Sequence, residues 1–360
     1  MIHIGLIGCG HIAQKHVLTL AKFDHVKLVA VSDLNNARMQ EIAQLYKNKN
    51  GTEEKIEFYN HYNELLKNPK IDVVVIAVVS GLHAQVAKEA VKHGKHVIIE
   101  KPFALSLKEM DEVIQLGEDL NKNVFVCHQL RYKPIMQKIK RMIEEGYLGH
   151  LYFGIASMKW NRSEKYYTSS PWKGTWDKDG GMLVNQGIHL VDLLIWFLGE
   201  PKSVYGEIAR FIKNKETEDV ATGILSFRNQ AKGVIESNII TKPKSIGSYL
   251  SLFGEKGTIC IGGSQLNEVT HCYIEGHPEK ENEIIGANNE TDEHYTMYQD
   301  FIFSINNNQS ALMSGREGKK AVEAIFAIYQ SHLQNKPIPL PLEMFSTMDM
   351  SINTGGDTDH

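Results

Sequence analysis

The chain is expected to be an α/β protein of two domains. A doubly wound parallel sheet spans residues 1–127, and an α+β domain with a large, mainly antiparallel open sheet spans 128–345. Three observations carry this expectation. Its 360 residues exceed what one ordinary domain holds. Short β-branched runs alternate with helix-length segments through the first third, the pattern of βαβ units. Beyond residue 150, strand-like runs follow one another with few helices between them, as an antiparallel sheet requires.

The elements follow in order. Ile2–Ile7 is apolar and stops at glycines, and His11–Lys22 carries helical periodicity. Val26–Ser32 is β-branched again and Asn36–Lys47 helical, followed by a strand at Val73–Ala77 and a helix at Ala84–His93. The strand His96–Ile99, the helix Leu107–Asn121 and the strand Asn123–Cys127 complete the first domain. A helix at Pro134–Glu145 opens the second, with strands at 150–160, 203–212, 219–228, 231–241 and 248–253. Helices are expected at Asn185–Leu198, His294–Asn306 and Arg316–Gln334, with His294, Tyr298 and the Glu317 segment serving helix packing. The polar, Gly-rich end of the chain makes 346–360 an expected disordered tail.

Composition excludes several classes of function. Thirty-nine Lys and Arg against 43 Asp and Glu leave −4, so nothing pulls the chain toward nucleic acid. No apolar run approaches the roughly 18 residues of a bilayer span. The start, MIHIGLIGCGHIA, enters a strand directly and lacks the pattern of a signal peptide, so a cytoplasmic protein is expected. Cys9, Cys127, Cys260 and Cys272 are scattered without a CxxC pair, so neither a disulfide nor a bound metal is expected.

Gly8-Cys9-Gly10-His11-Ile12-Ala13 is a GxGxxA set between the first strand and the first helix. That context makes it a dinucleotide fingerprint. Gly8 permits the tight turn, Gly10 lets backbone approach a pyrophosphate, and Ala13 allows close helix–strand packing. The helix N-terminus at His11 and Ile12 offers free N–H groups to the anion. Asp33 ends the second strand, where its carboxylate can accept from both ribose hydroxyls and would repel a 2′-phosphate. NAD is the cofactor expected.

Glu100-Lys101-Pro102 follows the strand His96–Ile99, Gly81-Leu82-His83 the strand Val73–Ala77 and Arg131-Tyr132 the strand Asn123–Cys127. The run Gly180-Gly181-Met182-Leu183-Val184-Asn185-Gln186-Gly187-Ile188-His189-Leu190-Val191-Asp192 is similar to a GGxxxDxGxHxxD signature. With these pieces, residues 1 to about 342 resemble the Gfo/Idh/MocA oxidoreductases. The resemblance implies a Rossmann domain and a second domain whose open sheet packs on another subunit, hence a homo-dimer or homo-tetramer. It implies that Lys101, the residue at 185 and His189 form the catalytic constellation, with Glu100 and His83 on the cofactor side. In that family a cis bond at Pro102 aims the lysine at the cofactor.

Chemistry agrees with those roles. Oxidising a secondary alcohol needs a base for the hydroxyl proton as the carbonyl forms, and His189 can serve near neutral pH. Lys101, at a strand C-terminal edge, can polarise or deprotonate the same oxygen. Asn185 and His189 are spaced i, i+4, which places both on one helix face. Many polyol and sugar dehydrogenases of the family carry Asp where Asn185 stands. An amide cannot share a proton relay, so Asn185 is expected to position substrate by hydrogen bonding.

Asn185-Gln186, preceded by Trp160-Asn161-Arg162, Tyr166-Tyr167 and Pro171-Trp172-Lys173-Gly174-Thr175-Trp176, is similar to the UDP-N-acetylglucosaminuronate 3-dehydrogenases. That narrower resemblance implies oxidation at C3 of a nucleotide-linked sugar acid, with retained NADH reoxidised by 2-oxoglutarate. Tyr166 and Trp176 can stack on sugar or uracil rings, and Arg162 and Lys173 can pair with carboxylate or phosphate. Two alternatives are a dehydrogenase of a free polyol or phosphorylated sugar, and a non-catalytic dinucleotide-sensing regulator. Lys101 together with His189 argues against the regulator.

Overall fold

The computed structural model describes residues 1–287 and 292–353. It divides into two compact units, and the chain visits the first of them twice, as Met1–Gln129 and again as Asp292–Lys319.

In the first unit six strands form one parallel sheet: β1 (Ile2–Ile7), β2 (Val26–Ser32), β3 (Glu57–Tyr59), β4 (Val73–Ile76), β5 (His96–Ile99) and β6 (Val124–Val126). The spatial order is β3-β2-β1-β4-β5-β6. Strand order reverses beside β1, and α/β folds bind ligands at the carboxyl ends of the strands at such a switch point. β4 is buried along its whole length, as a strand with both faces covered must be. β3 carries no apolar run and sits at the sheet edge, which is why the sequence pattern does not announce it.

The second unit holds an eight-stranded sheet: β7 (Leu151–Lys159), β8 (Pro201–Ala209), β9 (Val220–Phe227), β10 (Lys232–Asn238), β11 (Gly247–Gly254), β12 (Gly257–Gly262), β13 (Glu268–Ile274) and β14 (Ile338–Pro339). Its order is β13-β12-β11-β7-β10-β9-β8-β14, and every pairing is antiparallel except β7 with β10. The helix Ile188–Leu198 lies on one face, with Leu194 and Leu198 against Gly154 and Gly233. Strands β12 and β13 escape the sequence reading because one is rich in glycine and the other is largely solvent-facing, so neither shows a long apolar alternation.

The expected boundaries need two corrections. The helix Glu293–Asn307, placed by sequence in the second domain, folds with the first unit. Phe301 stacks on Phe125 with centroids 4.5 Å apart, the Tyr298 hydroxyl meets His16 Nδ1 at 2.8 Å, and Lys15 and Lys22 pair with Asp292 at 2.9 and 2.7 Å. The parallel sheet thus claims that helix's apolar face. Within the expected tail, Met348–Asn353 is helical, Met350 is buried, and Thr347 Oγ1 donates to the Trp176 carbonyl at 2.5 Å. The remainder, 354–360, lies outside the described residues. No helix among the described residues is long and apolar enough to cross a membrane.

Candidate active site

The first unit builds a dinucleotide cradle from backbone. Gly8 follows β1 with φ +93°, and a Cβ there would sit 2.4 Å from the Ala77 carbonyl oxygen. No side chain fits at that separation, so glycine is obligatory. Gly10 precedes the helix His11–Leu20, and nothing lies within 4 Å of where its Cβ would be. An anion can therefore reach the helix N–H groups at His11 and Ile12. Asp33 accepts from the Cys9 N–H at 2.8 Å and from the Asn35 N–H at 2.9 Å, which fixes its carboxylate beside the glycine turn. These residues fit NAD: a side-chain-free turn, a helix N-terminus and an oriented acceptor.

Lys101 is half-buried after β5, and the Lys101–Pro102 bond is cis. Its neighbour Glu100 is buried, with one oxygen 2.9 Å from His16 Nε2 and the other accepting the Lys101 N–H at 3.1 Å. Burial alone would raise the Glu100 carboxyl. The His16 hydrogen bond and the nearby Lys101 and His294 outweigh it and hold it at about 2. The Cys127 thiol beside them is pushed up by burial and by Glu100, and His16, Glu100 and Cys127 bring ligand atoms within 4.8 Å of one another. His83 departs from its expected role of facing the cofactor. Its ring is 1% exposed and its nitrogens meet the Pro102 and Val78 carbonyls at 2.7 and 3.0 Å, so it braces the Lys101–Pro102 segment from beneath.

In the second unit, Leu183–Gly187 forms a π-helical turn that leads into the helix Ile188–Leu198. The i, i+4 spacing of Asn185 and His189 was read on a regular α-helix, and the wider turn alters it. Such turns concentrate at functional sites. Both side chains are half-buried. Asn185 Nδ2 donates to Asp179 Oδ1, and the Asn185 N–H donates to the Gly181 carbonyl at 2.9 Å. Gly181 itself has φ +108°, and a Cβ there would lie 2.4 Å from the Tyr329 hydroxyl oxygen and 2.7 Å from Glu218 Oε2. Glu218 is buried and accepts from the Leu183 N–H at 2.8 Å and from Tyr329 at 2.7 Å, which anchors the start of the turn. Burial raises its carboxyl.

Arg162, Tyr166 and Lys173 come together as expected, with Gln186 beside them. The Arg162 guanidinium lies 4.9 Å from the Trp160 ring and 5.0 Å from the Tyr166 ring. Lys173 Nζ lies 4.2 Å from Tyr166 and 5.8 Å from Trp172. Aromatic rings and cations thus alternate along the cluster. Gln186 Nε2 approaches the Tyr166 hydroxyl at 3.5 Å. Arg162 Nε is buried without a hydrogen-bond partner, and among the described residues neither cation has a carboxylate partner. Trp176, expected to stack on a substrate ring, does not belong to this cluster. It is 2% exposed and packs edge-on against Tyr329 at 5.4 Å, so it is core.

Sequence reasoning missed Asp179, Glu218 and the role of Asp192. Asp179 and Glu218 lie in polar stretches, WDKDGG and KETED, that read as solvated loops. Asp192, the last acid of the glycine-led run, forms a buried bidentate pair with Arg131, at 2.9 Å to Nε and 2.7 Å to Nη2. Arg131 also lies 5.3 Å from the Trp196 ring. The pair ties the His189 helix to the segment that carries Arg131.

A model of the oxidoreductase family with an NAD-binding Rossmann fold matches residues 2–128, and a model of the GFO/IDH/MocA C-terminal domain matches 136–260. The structure is similar to that of the WlbA dehydrogenase from Bordetella pertussis in complex with NADH and UDP-GlcNAcA. The TM-score is 0.85 at 30% identity, covering 95% of this chain and 98% of that one. Among relatives by sequence, myo-inositol 2-dehydrogenase from Thermotoga maritima is 24% identical over 347 residues, 94% of this chain and 98% of its own. Glucose-6-phosphate 3-dehydrogenase from Bacillus subtilis is 27% identical over 271 residues, 71% of this chain and 73% of its own.

Proposed function

Because this chain belongs to the GFO/IDH/MocA oxidoreductase family and carries its NAD-binding Rossmann domain, we propose that it oxidises a secondary hydroxyl, at C3, of a UDP-linked N-acetylhexosaminuronate. The observation that carries the reading is the alternating cluster of Trp160, Arg162, Tyr166, Lys173 and Trp172. Among the described residues its two cations lack a carboxylate partner, and its rings offer stacking faces, which suits a ligand with both anionic groups and ring surfaces. A free polyol such as inositol would leave that charge unmet. The WlbA neighbour, solved with UDP-GlcNAcA, supports the same choice.

Bound NAD would supply the hydride acceptor. Lys101 polarises the alcohol oxygen and His189 takes its proton as the carbonyl forms. Asn185, an amide, holds the sugar rather than relaying a proton. In a parallel assay, UDP-GlcNAcA, glucose 6-phosphate and myo-inositol are each offered with NAD. The expected product is the UDP-sugar lighter by two hydrogens, seen by mass spectrometry, and 2-oxoglutarate is expected to sustain repeated turnover by reoxidising retained NADH. Turnover of the sugar phosphate or of inositol alone would overturn the assignment.

Two further outcomes arise from named residues. NAD is expected to bind about tenfold or more tightly than NADP, because Asp33 would face the added phosphate at close quarters. Asp33→Ser with Leu34→Arg should narrow or reverse that ratio in a titration, and equal binding by the unmodified protein contradicts the role given to Asp33. The second outcome is assembly. Phe253 pairs with Phe153, and Ile155, Val234 and Ile224 run in one row across β7, β10 and β9. Alternation puts this row on the face opposite the helix Ile188–Leu198, and Ile224 is 53% exposed. Covering it with a second copy of the chain makes a dimer or tetramer, to be seen by light scattering. A monomer at micromolar concentration would rule that cover out.

A further inference from the structure

The connection from β8 to β9, residues 210–219, is spelled like a solvated loop, yet Lys215, Thr217, Glu218 and Asp219 are buried. The Asp219 N–H donates to the Ala209 carbonyl at 2.8 Å and closes the connection at its neck. The Asp219 carboxylate accepts from the Phe211 and Ile212 N–H groups and lies 2.9 Å from the Lys215 ammonium. That ammonium also donates to the Glu218 carbonyl at 2.6 Å and to Thr217 Oγ1 at 3.3 Å. A buried cation held in this way fixes the shape of the connection, since loosening it strands a charge.

Two other segments are fastened to this piece. The first is the loop that carries Trp172 and Lys173. The Gly174 carbonyl accepts from the Glu216 and Thr217 N–H groups at 2.8 and 3.2 Å, and the Trp176 N–H donates to Glu216 Oε2 at 3.0 Å. Gly174 has φ +75°, and a Cβ there would lie 2.7 Å from Lys215 Cβ. Lys215 Nζ lies 4.7 Å from the Tyr167 ring, which meets Tyr166 edge-on at 5.0 Å. The second segment is the π-helical turn, whose Leu183 N–H is held by the Glu218 oxygen that also accepts from Tyr329.

We propose that Lys215 and Glu218 are positioning residues for two separable halves of the site. Lys215 sets the loop of Trp172 and Lys173, and with it the affinity for an anionic sugar. Glu218 sets the turn that leads to His189, and with it the proton-transfer step. The proposal rests on the UDP-sugar reading for the substrate and for the role of His189, and on this chain's own geometry for the two attachments.

Lys215→Met removes the ammonium and keeps the aliphatic stem. With UDP-GlcNAcA and NAD, KM is expected to rise about tenfold while kcat stays within about threefold, the mark of lost uniform binding. Gly174→Ala drives the same loop away from Lys215 and should raise KM in the same way, so it carries the comparison if Lys215→Met does not fold. Glu218→Leu leaves the Leu183 N–H and the Tyr329 hydroxyl without their acceptor. Here kcat is expected to fall about tenfold or more, and further than KM rises, because a small misplacement of a reacting group costs rate steeply. Glu218→Gln should recover kcat to within about threefold, since an amide oxygen has a lone pair for each of those donors.

Hydrogen exchange read by mass spectrometry accompanies the kinetics and needs no substrate. Lys215→Met should speed exchange chiefly in peptides covering 172–176, and Glu218→Leu chiefly in peptides covering 182–189. NAD binding should persist in every variant, because the Gly8 turn and Asp33 belong to the first unit. The same split between kcat and KM in both variants, no recovery in Glu218→Gln, or one exchange pattern shared by both would overturn the proposal. Failure of the unmodified protein to turn over UDP-GlcNAcA would instead remove the substrate assignment, and the exchange patterns would still decide the two attachments.

Discussion

His189→Ala is expected to lower kcat by about 10²–10⁴-fold, the usual contribution of one positioned acid–base group. Lys101→Ala should fall in the same range. In both variants KM should change little, because moving the hydroxyl proton stabilises the transition state rather than the bound alcohol. NAD binding should survive in both, since the turn at Gly8, the helix N-terminus at His11 and the Asp33 carboxylate are untouched. Steady-state kinetics over a pH series gives the check. A His189→Ala enzyme with near-normal kcat at every pH would make the imidazole a packing residue of its helix.

The largest effect on stability is expected at Arg131. Both members of the Arg131–Asp192 pair are nearly inaccessible, and their contact is bidentate. Arg131→Met strands the Asp192 carboxylate in the interior, and breaking a buried pair in this way costs about 3–5 kcal/mol. Arg131→Met/Asp192→Leu removes both charges and should recover most of that loss, because replacing a whole buried pair by apolar side chains is often close to neutral. Urea denaturation of the three proteins compares them directly. A single variant as stable as the unmodified chain would mean that water reaches Asp192, against the burial described here.

The architecture was legible where periodicity is strong. β1, β2, β4 and β5 are short β-branched runs separated by amphipathic helices, and each lies where the alternation puts it. β3 and β13 were invisible because an edge or solvent-facing strand needs no apolar stripe, and β12 because it is short and bounded by glycines. The family's shared motifs named Lys101, His189, Asn185 and the glycine turn, and the basic–aromatic stretch foretold the Arg162–Tyr166–Lys173 cluster. Trp176 failed because a ring that stacks on a ligand and a ring that fills a core are the same letter. The π-helical turn at Leu183–Gly187 failed for another reason. An extra residue in a helical turn leaves no mark in a pattern read at a period of 3.6. Asp179 and Glu218 show the converse difficulty, since a buried carboxylate met by donors is spelled like a solvated loop.

The helix Glu293–Asn307 belongs to a unit whose other part ends about 160 residues earlier. At the usual pace of synthesis, about 5–20 residues per second, the parallel sheet leaves the ribosome roughly ten to thirty seconds before the partner of Phe125 exists. During that interval Phe125 and the His16–Glu100 pair face solvent or a chaperone rather than Phe301 and Tyr298. The nascent chain must therefore keep an incomplete nucleotide-binding unit from aggregating while seven of the eight strands of the second sheet, β7 to β13, are being made.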